Sequence, residues 1–122
     1  MNHELNINLL KAAGYDVDNA IEALGGIEMY EEILSDFYNE NLDRVKKIID
    51  LKKNNDIKNY TIEVHAMKSE CMYLGINHLA DMCLEHQLKG EANDIEYINS
   101  HFDELMTEIA KVLTVIKEYF GK

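Results

Sequence analysis

Residues 95–119 read IEYINSHFDELMTEIAKVLTVIKEY. Ile95, Ile98, Phe102, Leu105, Ile109, Val112, Ile116 and Tyr119 recur at alternating steps of three and four, the spacing of one face of an α-helix. The run predicts a helix of about 27 residues, ~40 Å long at 1.5 Å per residue. Asn93 and Asp94 stand ready to cap its start, with Glu96 three residues after Asn93 to answer back. The same reading extends N-terminally. A second long helix is expected over 27–53, with the stripe Ile27, Tyr30, Leu34, Tyr38, Leu42, Val45 and Ile49 and Phe37 alongside. Asn54-Asn55-Asp56 supplies a turn and an N-cap for a third helix over 57–74, whose inward positions are Ile57, Tyr60, Val64, Met67, Cys71 and Leu74. Gly75 interrupts, and a shorter helix follows with Leu79, Met82, Cys83 and His86 on one side, ending at Gly90. Two short pieces, 4–13 and 18–24, precede all this, punctuated by Gly14 and Gly25-Gly26.

Four apolar stripes joined by short connections are buried most economically as an antiparallel, up-down four-helix bundle. The expected fold is therefore all-α: one domain over 1–122, with the bundle in 27–120 and one or two short helices of 1–26 capping one end. The 122 residues contain no Pro and only 6 Gly, which disfavours a turn-rich β architecture. Twelve basic against 23 acidic residues leave a formal charge of −11. Such a surface repels phosphate backbones and anionic lipid, so neither nucleic acid nor membrane is expected as a partner. There is no run of 18 apolar residues and no basic, then apolar, N-terminal segment, so neither a transmembrane helix nor a secretory signal is expected. Cys71 and Cys83, twelve apart in helical patterns, read as buried reduced thiols in a cytoplasmic protein.

Chemistry is sought among residues that the bundle does not need. On the third helix, His65 points roughly 130° away from the middle of the inward stripe, toward solvent. Thr61 and Ile62 lie one turn before it, and Lys68, Ser69 and Met72 follow on the same side, with Tyr73 further round. Ile62, Met72 and Tyr73 have no place in the stripe and would ring an exposed imidazole with apolar surface, a common mark of protein docking. Lys68, three residues after His65, would reach an anionic group attached to the ring. Other motifs carry less. Cys83-x-x-His86 is half a metal site at most, and His86 falls on the inward face. Neither Glu-x-x-His, a nucleophile elbow, a P-loop nor a dinucleotide fingerprint occurs, so no metal site is expected. His3, His78 and His101 have no evident partner, and the acidic stretch at Glu28 and Glu31-Glu32 reads as a solvated helix face.

The segment Val64-His65-Ala66-Met67-Lys68-Ser69-Glu70-Cys71, followed by Leu74-Gly75, Leu79 and Cys83-Leu84-Glu85, resembles the signature of histidine-containing phosphotransfer (HPt) domains. That signature is a helix bearing His-x-Leu-Lys-Gly-Ser, a Gly ten residues after the His, and a following helix with a Leu-Glu pair. The opening is similar too: Gly14-Tyr15-Asp16-Val17, then Ala23-Leu24-Gly25-Gly26, then Met29-Tyr30. Nearly the whole chain is covered, in order.

The resemblance implies a phosphoryl carrier of a two-component multistep phosphorelay, not an enzyme with turnover of its own. His65 would exchange a phosphoryl group with the aspartate of a response-regulator receiver domain, or serve a hybrid sensor histidine kinase. Its neutral imidazole supplies the nucleophilic lone pair. Lys68 matches the lysine that offsets the phosphoryl charge, and Gln87 resembles a glutamine that hydrogen-bonds the imidazole. Ile62, Ser69, Met72, Tyr73 and Gln87 would form the docking face. The Mg²⁺ is expected on the partner receiver and no cofactor on this chain, which is expected to act as a monomer. Ser69 departs from the family's usual Gly; its hydroxyl is small enough to keep access and could bond phosphoryl oxygens. Glu63 and Glu70 acidify the flanks and would favour a receiver with a basic rim. The alternatives are an HPt-like module that docks a receiver or kinase without carrying phosphate, and a metal-binding helical bundle.

Overall fold

A computed structural model describes the backbone of residues 3–121 and the side chains of residues 6–121. His3, to which the sequence assigned no partner, lies outside the described side chains. The described residues form six helices: α1 (His3–Ala12), α2 (Val17–Leu24), α3 (Ile27–Lys53), α4 (Ile57–Leu74), α5 (Asn77–Glu91) and α6 (Ile95–Tyr119). The last four pack in a ring, α3 on α4, α4 on α5, α5 on α6 and α6 back on α3. Each neighbour runs antiparallel. Tyr30 meets Leu74 and Arg44 meets Glu63 across the first pair. Tyr119 meets Glu31 and Phe102 meets Lys52 across the pair that closes the ring. Helix α2 packs on α3 and α4, and α1 packs on α6.

The capping chemistry explains most boundaries. Asp56 accepts from the Asn59 backbone N–H at the start of α4, and Asn55, at φ +54°, takes the left-handed turn before it. At the start of α6 the cap is Asp94, which accepts from Tyr97 N at 3.1 Å. Asn93 does not cap; it takes the left-handed turn at φ +56°, so the bond expected from Glu96 back to it has no place. Helix α5 runs through Gly90, where the sequence suggested a stop. A β-carbon on Gly90 would sit 2.0 Å from Thr61 Oγ1, so this glycine provides close approach of α5 to α4 rather than a helix end. Helix α6 is 25 residues long.

The core takes one of two apolar faces on α3. Tyr30, Leu34, Phe37, Asn41 and Ile48 are buried, whereas Leu42 and Ile49, expected inside, are each 43% exposed. A hydropathy reading breaks at Asn41, which is nevertheless fully enclosed. Its amide donates to Phe37 O at 2.7 Å and its carbonyl accepts from Arg44 Nη1 at 2.9 Å, so both ends of the group are satisfied. On α4 all six expected positions are buried. The Tyr30 hydroxyl donates to Leu74 O at 2.8 Å, satisfying a carbonyl left open by the end of α4.

His86 is a core histidine, 2% exposed, with its Nδ1 2.8 Å from the Tyr60 hydroxyl. Burial, and then the neighbouring His101, push its pKa down to about 4. Above pH 6.5 the ring is neutral whether the chain is folded or not. As pH falls from 6.5 toward 4, only the unfolded chain takes up the proton, so stability is lost across that window. The expected contribution is about 3 kcal/mol, at ~1.36 kcal/mol per pH unit. Urea unfolding of wild type and His86→Gln at pH 7, 6, 5 and 4 checks this: wild type should lose about that much more than the variant, and parallel curves would contradict it.

Candidate functional site

Helix α4 turns Val64 and Met67 into the core, both fully enclosed, and that rotation fixes where their neighbours point. His65 is exposed on the opposite side. Its Nδ1 lies 2.9 Å from Gln87 Oε1 on α5. With the Gln87 carbonyl as acceptor, Nδ1 carries the proton and Nε2 carries the lone pair, directed away from α5. The bond exists because α4 and α5 approach closely: Gly90 lies against Thr61 one turn before His65, and Tyr60 reaches His86, the residue next to Gln87. Cys71 and Cys83, both fully buried beneath this pair of helices, are free thiols whose pKa burial raises.

Lys68 is half-buried on the α5 side of α4, and among the described residues no carboxylate lies within 4.0 Å of its ammonium. Ser69 donates its hydroxyl to its own helix, at 3.2 Å to His65 O. Ile62, Met72 and Tyr73 are 53%, 62% and 64% exposed, so the apolar ring on α4 stands in solvent. Two members of the face escaped the sequence reading. Leu84 and Leu88 on α5 are also exposed, and in sequence they flank Gln87, the partner of His65. The spacing of four between Leu84 and Leu88, off the side of α5 that holds Leu79, Cys83 and His86, was the available signal.

Glu63 and Glu70 do not acidify this face. Both turn toward α3, where Arg44 bonds Glu63 at 3.3 Å and Glu70 directly, and Lys47 reaches Glu63 at 3.3 Å. Burial, and then the adjacent Glu40 carboxyl, raise the Glu70 pKa in spite of Arg44. Two cations therefore answer the two carboxylates, and the inference of a basic-rimmed partner loses its basis. The long-range pairing, over 19 and 26 residues, is invisible to a helical wheel.

Two further histidines have local partners. His101 stacks on Tyr97 at 4.0 Å and donates from Nδ1 to Tyr97 O, and His78 Nε2 lies 3.9 Å from Glu108. Among the described residues no group of three or more His, Cys, Asp or Glu side chains is placed to hold a metal ion. No helix among them is long and apolar enough to cross a membrane. Compared with protein-family models, with curated proteins and with solved structures, the chain matches none. What the site presents is one oriented nitrogen nucleophile, one cation a turn away with no carboxylate partner among the described residues, and an apolar rim drawn from two helices.

Proposed function

We propose that the chain is an HPt domain, a cytoplasmic, monomeric phosphoryl carrier between receiver domains or between a hybrid sensor kinase and a receiver. The observation that carries this reading is the exposed His65 imidazole, held through Nδ1 by Gln87 in the tautomer that frees Nε2. In the forward step the Nε2 lone pair attacks phosphorus of the receiver's aspartyl phosphate. The N–P bond forms, the P–O bond to the aspartate breaks, and the carboxylate leaves with its electron pair. No proton need move: Nδ1–H stays on the ring, which becomes cationic, and the Gln87 carbonyl oxygen faces that developing charge. The Lys68 ammonium offsets charge on the phosphoryl oxygens. The reverse step regenerates both partners. Phosphoryl transfer depends on alignment and charge neutralisation, so one imidazole and one cation suffice on this side; Mg²⁺ acts on the receiver.

The test is incubation with receiver domains phosphorylated by acetyl phosphate in Mg²⁺. The chain should acquire a label that is acid-labile and alkali-stable, as a P–N bond is, and return it to unphosphorylated receiver. Absence of transfer from any receiver of its native cell would overturn the proposal. Gln87→Ala should slow acceptance without stopping it, by about fivefold for one hydrogen bond of ~1 kcal/mol. Single-turnover transfer rates measure this, and an unchanged rate would remove Gln87 from the site.

A further inference from the structure

The apolar residues that α3 leaves outside the core form a second surface. Leu42, Val45 and Ile49 face Met106, Ile109 and Leu113 of α6 across a groove of about 230 Å³ with almost no polar lining. Because the helices pack in the order α3, α4, α5, α6, this groove lies on the side of the bundle away from the α4–α5 pair that carries His65. Its outer edge on α3 reads Leu42, Lys46, Ile49, Lys53 at steps of four, three and four, so lysines alternate with the exposed apolar residues.

That edge is a local exception in an acidic protein. Five of the 12 basic residues fall within residues 44–53 of α3, against one acidic residue, Asp50. Arg44 and Lys47 are occupied by Glu63 and Glu70, and Lys52 lies over the Phe102 ring. Lys46 and Lys53 are left without a carboxylate within 4.0 Å among the described residues. Lys53 suits the negative end of α3, but Lys46 stands two turns short of it, beyond the reach of that effect. Screening over about 8–10 Å makes the nearby lysines, rather than the distant net charge, the field that a docked segment meets.

We propose that the α3–α6 groove docks an acidic amphipathic helix of a partner protein, leaving the His65 face free at the same time. The exposed ridge from Leu42 to Ile49 spans about 10 Å, two helical turns, and fits apolar residues at i, i+3 or i+4, and i+7 with Asp or Glu beside them. A second copy of this chain fits poorly, because it would set an identical lysine edge against this one.

The experiment places a photo-crosslinking phenylalanine analogue at Ala110, exposed at the groove, in the full chain expressed in its native cell, and sequences the crosslinked peptide. The expected product is a peptide from another protein with an acidic, helix-periodic apolar pattern. Its yield should fall at least about tenfold in Lys46→Glu/Lys53→Glu and remain unchanged in His65→Gln. Crosslinks to a second copy, to this chain itself or to a segment lacking that pattern, or none at all, would overturn the proposal whatever His65 does.

Discussion

His65→Gln is expected to abolish phosphoryl acceptance, with labelling from a phosphorylated receiver falling at least about a hundredfold to background, because the reacting nitrogen beside Lys68 is gone. The substitution removes the reacting nitrogen while leaving an exposed polar side chain of similar reach on α4. The core positions on either side, Val64 and Met67, are untouched, so unfolding curves should coincide with wild type. Receiver affinity should also stay within about twofold, since Ile62, Met72, Tyr73, Leu84 and Leu88 are unchanged and apolar burial dominates such faces. The two readouts separate a carrier from a docking module. A carrier loses transfer and signalling output together in this variant. A module acting by occupancy keeps affinity and output alike, and that result would overturn the carrier reading even if some label were seen on wild type.

The largest effect on stability is expected at Gly75, far from any reacting atom. Gly75 ends α4 at φ +74°, where L side chains are strained, and a β-carbon there would meet Asp16 O at 2.4 Å and Asp16 C at 2.8 Å. The contact is backbone and is locked by the Asp16 N–H, which donates to Gly75 O at 2.9 Å. Gly75→Ala should therefore cost about 3 kcal/mol, from left-handed strain together with displacement of the strap that joins α1 to α2. Thermal unfolding should fall by about 10 °C for a domain of this size. Gly14→Ala is the control. Its φ is +93°, but open space surrounds the site, so strain alone acts and about 1 kcal/mol is expected. Equal losses in the two variants would show that the Asp16 contact carries no weight.

These expectations differ in how early they can be formed. His65 was legible because helical periodicity is local: rotation by about 100° per residue decides which side chains a helix cannot bury. The same rule identified the inward face of α4 and placed His86 in the core. It failed on α3, where Tyr30, Leu34, Phe37, Asn41 and Ile48 share the helix with a neighbouring stripe at Leu42, Val45 and Ile49. Both stripes have helical spacing. Only the positions of α4 and α6 decide which is enclosed, and a polar Asn41 at the centre of the enclosed one hides it from hydropathy.

The chain's own order of residues determined the helical class, the approximate helix limits and the outward imidazole, because periodicity, caps and glycines act within a few residues. Tertiary structure alone decided the rest: Gln87 as the partner of His65, Arg44 and Lys47 as the partners of Glu63 and Glu70, and the open groove between α3 and α6. Each of these joins residues on separate helices, and the register between helices is set by the packing of whole surfaces, which no short stretch of the chain contains.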